Sequence, residues 1–226
     1  MNPIRLPAIL PPPGVVALAC VALFGLAACG GGGGDTAVAG SGSTAVLPGG
    51  AGPATLPPLQ VDSSQETVTC RNASIGALRL DTVFVPDDAA CELFGTQLKG
   101  SIKVGTRAAV LAVDVAVTGD LQAEGAAAVI VQGGSTFGGS VQVKQGAGAD
   151  IRDASIGGDL QFDAMSAALV AESIRIGGNL QAVGNRGGVA LSNNHIDGNL
   201  QCKDNQPAPT GGGNTAASKE DQCAAL

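Results

Sequence analysis

Tryptophan and tyrosine are missing from this chain, which holds one histidine and five phenylalanines in 226 residues. Exposed rings that could stack nucleic-acid bases are therefore scarce. With 12 basic against 19 acidic residues, the chain is also a poor candidate for binding nucleic acid or anionic lipid through charge. A single histidine among scattered carboxylates spells no Ser-His-Asp order. No CxxC pair is present, so no cysteine metal site can be read from spacing. The one sustained apolar run, at positions 14–28, is too short to cross a bilayer as a helix.

Glycine is abundant instead (35 residues), and the apolar content comes mainly from Ala, Val, Leu and Ile. The formal charge is −7. The segment 1–28 carries Arg5 as its one charged side chain, so its removal leaves 11 − 19 = −8. The length allows one or two domains.

The glycines mark a repeat. "SIGGDLQFD" at 155–163 returns as "RIGGNLQAV" at 175–183 and "HIDGNLQCK" at 195–203. Register glycines fall at Gly100, Gly119, Gly139, Gly158, Gly178 and Gly198, with steps of 19 or 20 positions between them. A further copy, "SIGALRL" at 74–80, fits with one residue deleted. Two and four positions after each glycine the residues are mostly apolar, and the position between holds Lys103, Gln122, Gln142, Gln161, Gln181 and Gln201. Upstream, the columns two, four, seven and nine before the glycine are also mostly apolar. The last two columns include Ile130 and Gln132 for the copy at Gly139. This alternation is the strand period, and each unit holds three short strands with turn residues between them.

A period near 20 with three strands per unit predicts a solenoid, because one unit cannot bury its own apolar face but stacked units can. The expected fold is all-β: a right-handed parallel β-helix of roughly 20 residues per three-sided coil. The register glycines are expected where coils approach closely or φ is positive, with Asp159, Asn179 and Asn199 turning the chain. Gln122, Gln142, Gln161, Gln181 and Gln201 are expected to stack outward about 4.8 Å apart as an amide ladder. Roughly eight coils would make a rod about 35–40 Å long.

The N-terminus carries an address. Its apolar run follows one positive charge, as a secretory signal does. It closes in Leu26-Ala27-Ala28-Cys29, which resembles the lipobox of bacterial lipoproteins. The resemblance implies a signal peptide at 1–28 and lipidation of Cys29 as the mature N-terminus. Gly30 in place of Asp implies the outer membrane of a two-membrane bacterium. An ordinary signal peptide cleaved elsewhere is the alternative reading. The Gly/Ala/Pro-rich segment 29–60 cannot bury a core and is expected to act as a flexible tether. The β-helix domain is placed at 61–226.

Cys70 and Cys91 stand 21 positions apart, and so do Cys202 and Cys223. That is about one coil, and the resulting Cα spacing of about 4.8 Å suits a disulfide. An exported chain meets an oxidising compartment. One staple is therefore expected at each end, Cys70–Cys91 and Cys202–Cys223, the second with Cys223 in the inward column of Cys202. A four-cysteine metal site is the rival reading.

The remaining polar residues point to no chemistry. His195 lies between inward positions and is expected to face solvent. Asp120 and Asp159 share a corner column, where they could bind calcium or act in polysaccharide cleavage, but turn formation accounts for them. No catalytic residue, metal or cofactor is assigned. "VAVTGDLQA" at 115–123, with its strand-and-glycine steps, resembles the repeats of bactofilins, polymer-forming bacterial β-helix proteins, across about positions 95–205. Bactofilins are cytoplasmic and cysteine-poor, which separates them from a chain with an export signal and staples. The expected role is a non-enzymatic cell-envelope lipoprotein, a rigid rod with a structural, adhesive or scaffolding task. Its membrane contact would run through the N-terminal lipid, and its partner would be a cell-wall component, an envelope protein or another copy. A bactofilin-like extracytoplasmic filament and a polysaccharide lyase or hydrolase are the alternatives.

Non-reducing peptide mapping of the exported chain is expected to recover peptides joined as Cys70–Cys91 and Cys202–Cys223. Recovery of free thiols at these positions would contradict the pairing.

Overall fold

A computed structural model of the chain describes residues 56–61 and 66–226. Its regular structure is entirely β, with 24 short strands and no helix among the described residues. The strands form three sheets, every pairing is parallel, and sheet neighbours are mostly three strands apart in the chain. Each circuit of the backbone therefore adds one strand to each sheet. The first sheet has nine strands, from Thr67–Thr69 to Ser218–Asp221; the second has eight, from Ala73–Ile75 to Thr210–Gly212. The third has seven two-residue strands, from Arg79–Leu80 to His195–Ile196. Nine strands give an axial length of about 38 Å. This is a β-solenoid, stacked as the repeat implies.

Pairing sets Leu121 beside Val141, then Leu160, Leu180 and Leu200, so successive coils are offset by 19 or 20 positions. All five are fully buried. The neighbouring inward column, Ala123, Val143, Phe162, Ala182 and Cys202, is buried as well. Phe162 fits because a small alanine follows it in the next coil, so volume is balanced along the axis rather than within a coil. The third sheet contributes Leu98, Val117, Phe137, Ile156, Ile176 and Ile196 to the same core.

The corners must satisfy backbone groups that no strand pairs. Between the second and third sheets, residues of successive coils take positive φ: Asp114 (54°), the pair Gly133 (71°) and Gly134 (77°), Asp153 (48°), Ser173 (57°) and Asn193 (56°). Gly, Asn and Asp dominate the column because they tolerate this region best. Just inside this corner Asn194 is buried. Its Oδ1 accepts the Ile174 N–H at 3.1 Å, and its Nδ2 donates to Ala171 O at 2.9 Å and to Asn214 Oδ1 at 2.9 Å. Asn185 and Asn205 form the same ladder at another corner, and Asn205 Nδ2 donates onward to Gln222 Oε1 at 3.1 Å. Among the described residues every buried side-chain nitrogen and oxygen has a partner.

The register glycines serve close approach, not positive φ. A Cβ on Gly158 would fall on Ser140 Oγ, and one on Gly178 on Asp159 Oδ1. Their φ values lie outside the left-handed region.

The two disulfides close at the two ends, with Cα separations of 5.7 Å for Cys70–Cys91 and 5.2 Å for Cys202–Cys223. Chain also packs against the core at each end. Leu59 N–H donates to Ser74 O, Ser74 N–H donates to Pro57 O, and Leu59 and Val61 pack on the core. At the other end Leu226 packs on the core and its carbonyl accepts from Lys219 Nζ at 2.6 Å. The rod thus begins before Val61, because Leu59 is an apolar anchor within what composition alone assigns to the tether.

Three register expectations need correction. "SIGALRL" is not a copy of the glycine corner: Ile75 pairs with Leu93 in the second sheet, and Asp81 O takes the N–H of Gly100. The first coil is short there, with two residues between Leu80 and Val83 where the next has three between Leu98 and Ile102. Ile130 and Gln132 do not point inward; Val129 and Val131 do. An extra residue at Gly133–Gly134 shifts the preceding strand by one, and a one-residue slip exchanges the two faces. Cys223 does not stack on Cys202, which pairs with Asp221; it reaches Cys202 from the turn that follows.

Asn194→Ala is expected to lower the free energy of unfolding by about 3 kcal/mol, since it strands a buried N–H and a buried carbonyl. Urea denaturation checks this, and an unchanged midpoint would mean that the ladder is dispensable.

Candidate functional site

Stacked coils turn each sequence position into an axial column, so any surface site must be built from columns. On the outer face of the first sheet the chain registers Lys103, Gln122, Gln142, Gln161, Gln181, Gln201 and Glu220. Ahead of Lys103 the column continues to Phe84, and its far end is the carboxylate of Glu220. Its side-chain hydrogen bonds occur at the carboxylate end: Gln181 Nε2 donates to Gln201 Oε1 at 3.1 Å, and Gln201 Nε2 to Glu220 Oε2 at 2.7 Å. Hydrogen bonds from Ser218 and Gln201 hold the Glu220 carboxyl below its usual range.

Asp120 and Asp159 lie in the corner column between the third and first sheets, and the structure uses both as turn acceptors. Thr82, Ser101, Asp120, Ser140, Asp159, Asn179 and Asn199 form a chain in which each side-chain oxygen accepts the backbone N–H of its successor, at 2.7–3.4 Å. The two carboxylates stand two coils apart, about 10 Å, with Ser140 between them. They do not converge on a common point. His195 projects outward, with Nδ1 2.8 Å from Thr215 Oγ1 and Nε2 3.3 Å from Asp197 Oδ1. His195 thus bridges the Thr215 hydroxyl and the Asp197 carboxylate on exposed surface.

The second sheet's outer face mixes half-buried Leu111, Ile130 and Val170 with an ion cluster. Arg152 bonds to Asp150 at 2.6 Å and to Glu172, and its own ionisation is pushed up, chiefly by the Asp150 hydrogen bond. Near the N-terminal end, Arg107 clasps Asp88 at 2.6 and 2.7 Å and holds that carboxyl below its usual range.

The third sheet carries an open groove of about 850 Å³ along the axis. Its outward column is Arg79, Gln97, Ala116, Thr136, Ser155 and Arg175, with His195 next in register beyond the groove. The column beside it is Lys99, Thr118, Gly138, Gly157, Gly177 and Asp197. The three glycines are forced by packing: a Cβ on each would strike the carbonyl oxygen of the coil before it. The groove floor is consequently backbone, hydroxyls and small side chains. Reading the sequence alone did not reveal this site. Arg79 belongs to the coil whose register is shortened, and its alignment with Arg175 shows only once that coil is placed.

Cys29 lies outside the described residues. Among the described residues no helix is long and apolar enough to cross a membrane, and no three His, Cys, Asp or Glu side chains are grouped to hold a metal. No protein family matches the chain, and neither a curated protein nor a solved structure does.

The Gln201 side-chain amide signals should shift as Glu220 titrates, with a midpoint below that of a free glutamate. The lowered value means that the contact is complete above the usual carboxylate range and is lost as pH falls through the depressed one. NMR titration of the chain checks the direction; a midpoint at or above the free value would contradict it.

Proposed function

We propose that this chain is an exported, lipid-anchored rod of the bacterial cell envelope, with a structural, adhesive or scaffolding task. The observation that carries the reading is the disulfide at each end of the solenoid. Such bonds persist in oxidising compartments and are rare in the cytosol. They agree with the signal-like run at 14–28 and with the lipobox-like Leu26-Ala27-Ala28-Cys29.

A solenoid suits this task. Its core columns, corner ladders and staples hold flat outer faces in one register over about 38 Å. The segment 30–55, rich in glycine, alanine, proline and small hydroxyl residues, would give the rod reach from its lipid. The stapled ends, with Leu59 and Leu226 packed on the core, weigh against the stacking of copies end to end, the route a bactofilin-like filament would take. The outer faces offer binding surface and no assigned catalytic step.

Expressed at full length in a two-membrane bacterium, the chain should incorporate labelled palmitate and sediment with the membranes. Cys29→Ala should abolish the label and leave the chain in the soluble export fraction. A wild-type chain without label, or a label that survives the substitution, would sink the anchor.

A further inference from the structure

We infer that the groove on the third sheet is a binding site for an extended acidic glycan, a chain of sugars bearing carboxylates, laid along the solenoid axis. The inference names a partner for the envelope rod just proposed and rests on that reading for where the glycan is met. The groove itself stands on its own geometry.

Charge is the first argument. The chain carries −7 overall, yet the groove is lined by Arg79, Lys99 and Arg175 against the single carboxylate Asp197. Arg107 and Arg152 are each bonded to carboxylates elsewhere on the rod. The guanidiniums of Arg79 and Arg175 have neither an ion pair nor a side-chain hydrogen bond among the described residues. Lys99 has only a loose contact with Asp81, 3.9 Å away across exposed surface. Three cations thus line the groove against one carboxylate, and its two arginines are left free there, although the protein as a whole is acidic. A guanidinium presents paired donors that match a carboxylate.

Shape and donor chemistry narrow the ligand. Arg79 and Arg175 stand in one column five coils apart, about 24 Å, so a single small anion cannot meet both. The ligand must be a linear chain with charges spaced along it. Between the cations lie Gln97, Thr118, Thr136 and Ser155, all exposed, over a floor of Gly138, Gly157 and Gly177. These amides and hydroxyls can donate to and accept from sugar hydroxyls. A peptide fits less well. The strands cross beneath the groove with their N–H and C=O groups already bonded to adjacent coils, so no edge is offered for an added strand. The floor also lacks exposed rings, since Phe137 is buried. Affinity must therefore come from ionic and hydroxyl contacts, and binding will be salt-sensitive.

The test is titration of the full-length chain, purified in detergent, with alginate oligomers, their methyl esters and poly-glutamate of matched charge. Alginate oligomers should bind, and raising the salt should weaken them. Arg79→Ala with Arg175→Ala should cost about tenfold in affinity, the worth of two partly exposed ion pairs. Lys203→Ala, on another face, should leave binding unchanged. Ser155→Trp keeps every cation and fills the floor, so it should also block binding. The substituted side chains are all exposed, and an unchanged circular dichroism spectrum would confirm the fold of each variant. The inference is overturned if alginate does not bind, if the methyl ester binds as tightly, or if the off-groove variant loses as much as the groove pair. It is also overturned if poly-glutamate matches alginate, which would make the groove a site for acidic peptide. A negative result here leaves palmitate labelling of Cys29 unaffected, so the two readings fail separately.

Discussion

Parallel pairing between successive coils is the constraint from which the rest of this structure follows. It places each residue directly over its counterpart 19 or 20 positions earlier, so like must tolerate like at about 4.8 Å. Aliphatic side chains meet the condition in the core, where Leu160, Leu180 and Leu200 stack without loss of packing. Carboxylates and amides meet it at corners only by binding the next coil's backbone, as Asp159 binds the N–H of Asn179. Glycine meets it where the previous coil's side chain or carbonyl takes the room a Cβ would need. Net charge adds little to the fold and is left to the outer faces.

The regular part of this arrangement was legible because the same columns recur in coil after coil. Leu and Gln at fixed distance from a glycine announce a parallel stack, and a cysteine spacing close to one coil announces a staple. Legibility failed where the period breaks. The pair Gly133–Gly134 hides an insertion, and counting back from Gly139 then assigns Ile130 inward when Val129 holds that place. The first coil loses a residue beside Asp81, and that loss concealed the alignment of Arg79 with Arg175. The buried ladders were less visible still. Asn185 and Asn205, or Asn194 and Asn214, are 20 apart, yet an asparagine in a turn-rich sequence reads as a turn former until its burial is known. Spacing reveals that two residues stack; it does not reveal whether they stack inside or outside.

The two kinds of polar column divide the labour of the molecule. Inward amides close buried backbone groups and belong to stability. Outward columns are free of that duty, and their composition differs from face to face: glutamine on the first sheet, aliphatics with an ion cluster on the second, arginine and hydroxyls on the third. A rod with three unlike faces can present three chemistries in fixed register, which is what a scaffold or an adhesin needs and what a loop-borne site does not supply.

The staples have a mechanical meaning. Tension entering the rod at Cys70 passes through the sulfur–sulfur bond to Cys91, and tension from the C-terminus crosses from Cys223 to Cys202. The residues between each pair carry no load. Once the segment before Cys70 is pulled away, the rod cannot fray further from its tips; it must yield inside, between Cys91 and Cys202, where coils are held on both sides. Each bond also removes one coil from the length that force could draw out, so the molecule behaves under strain as a strut with locked ends.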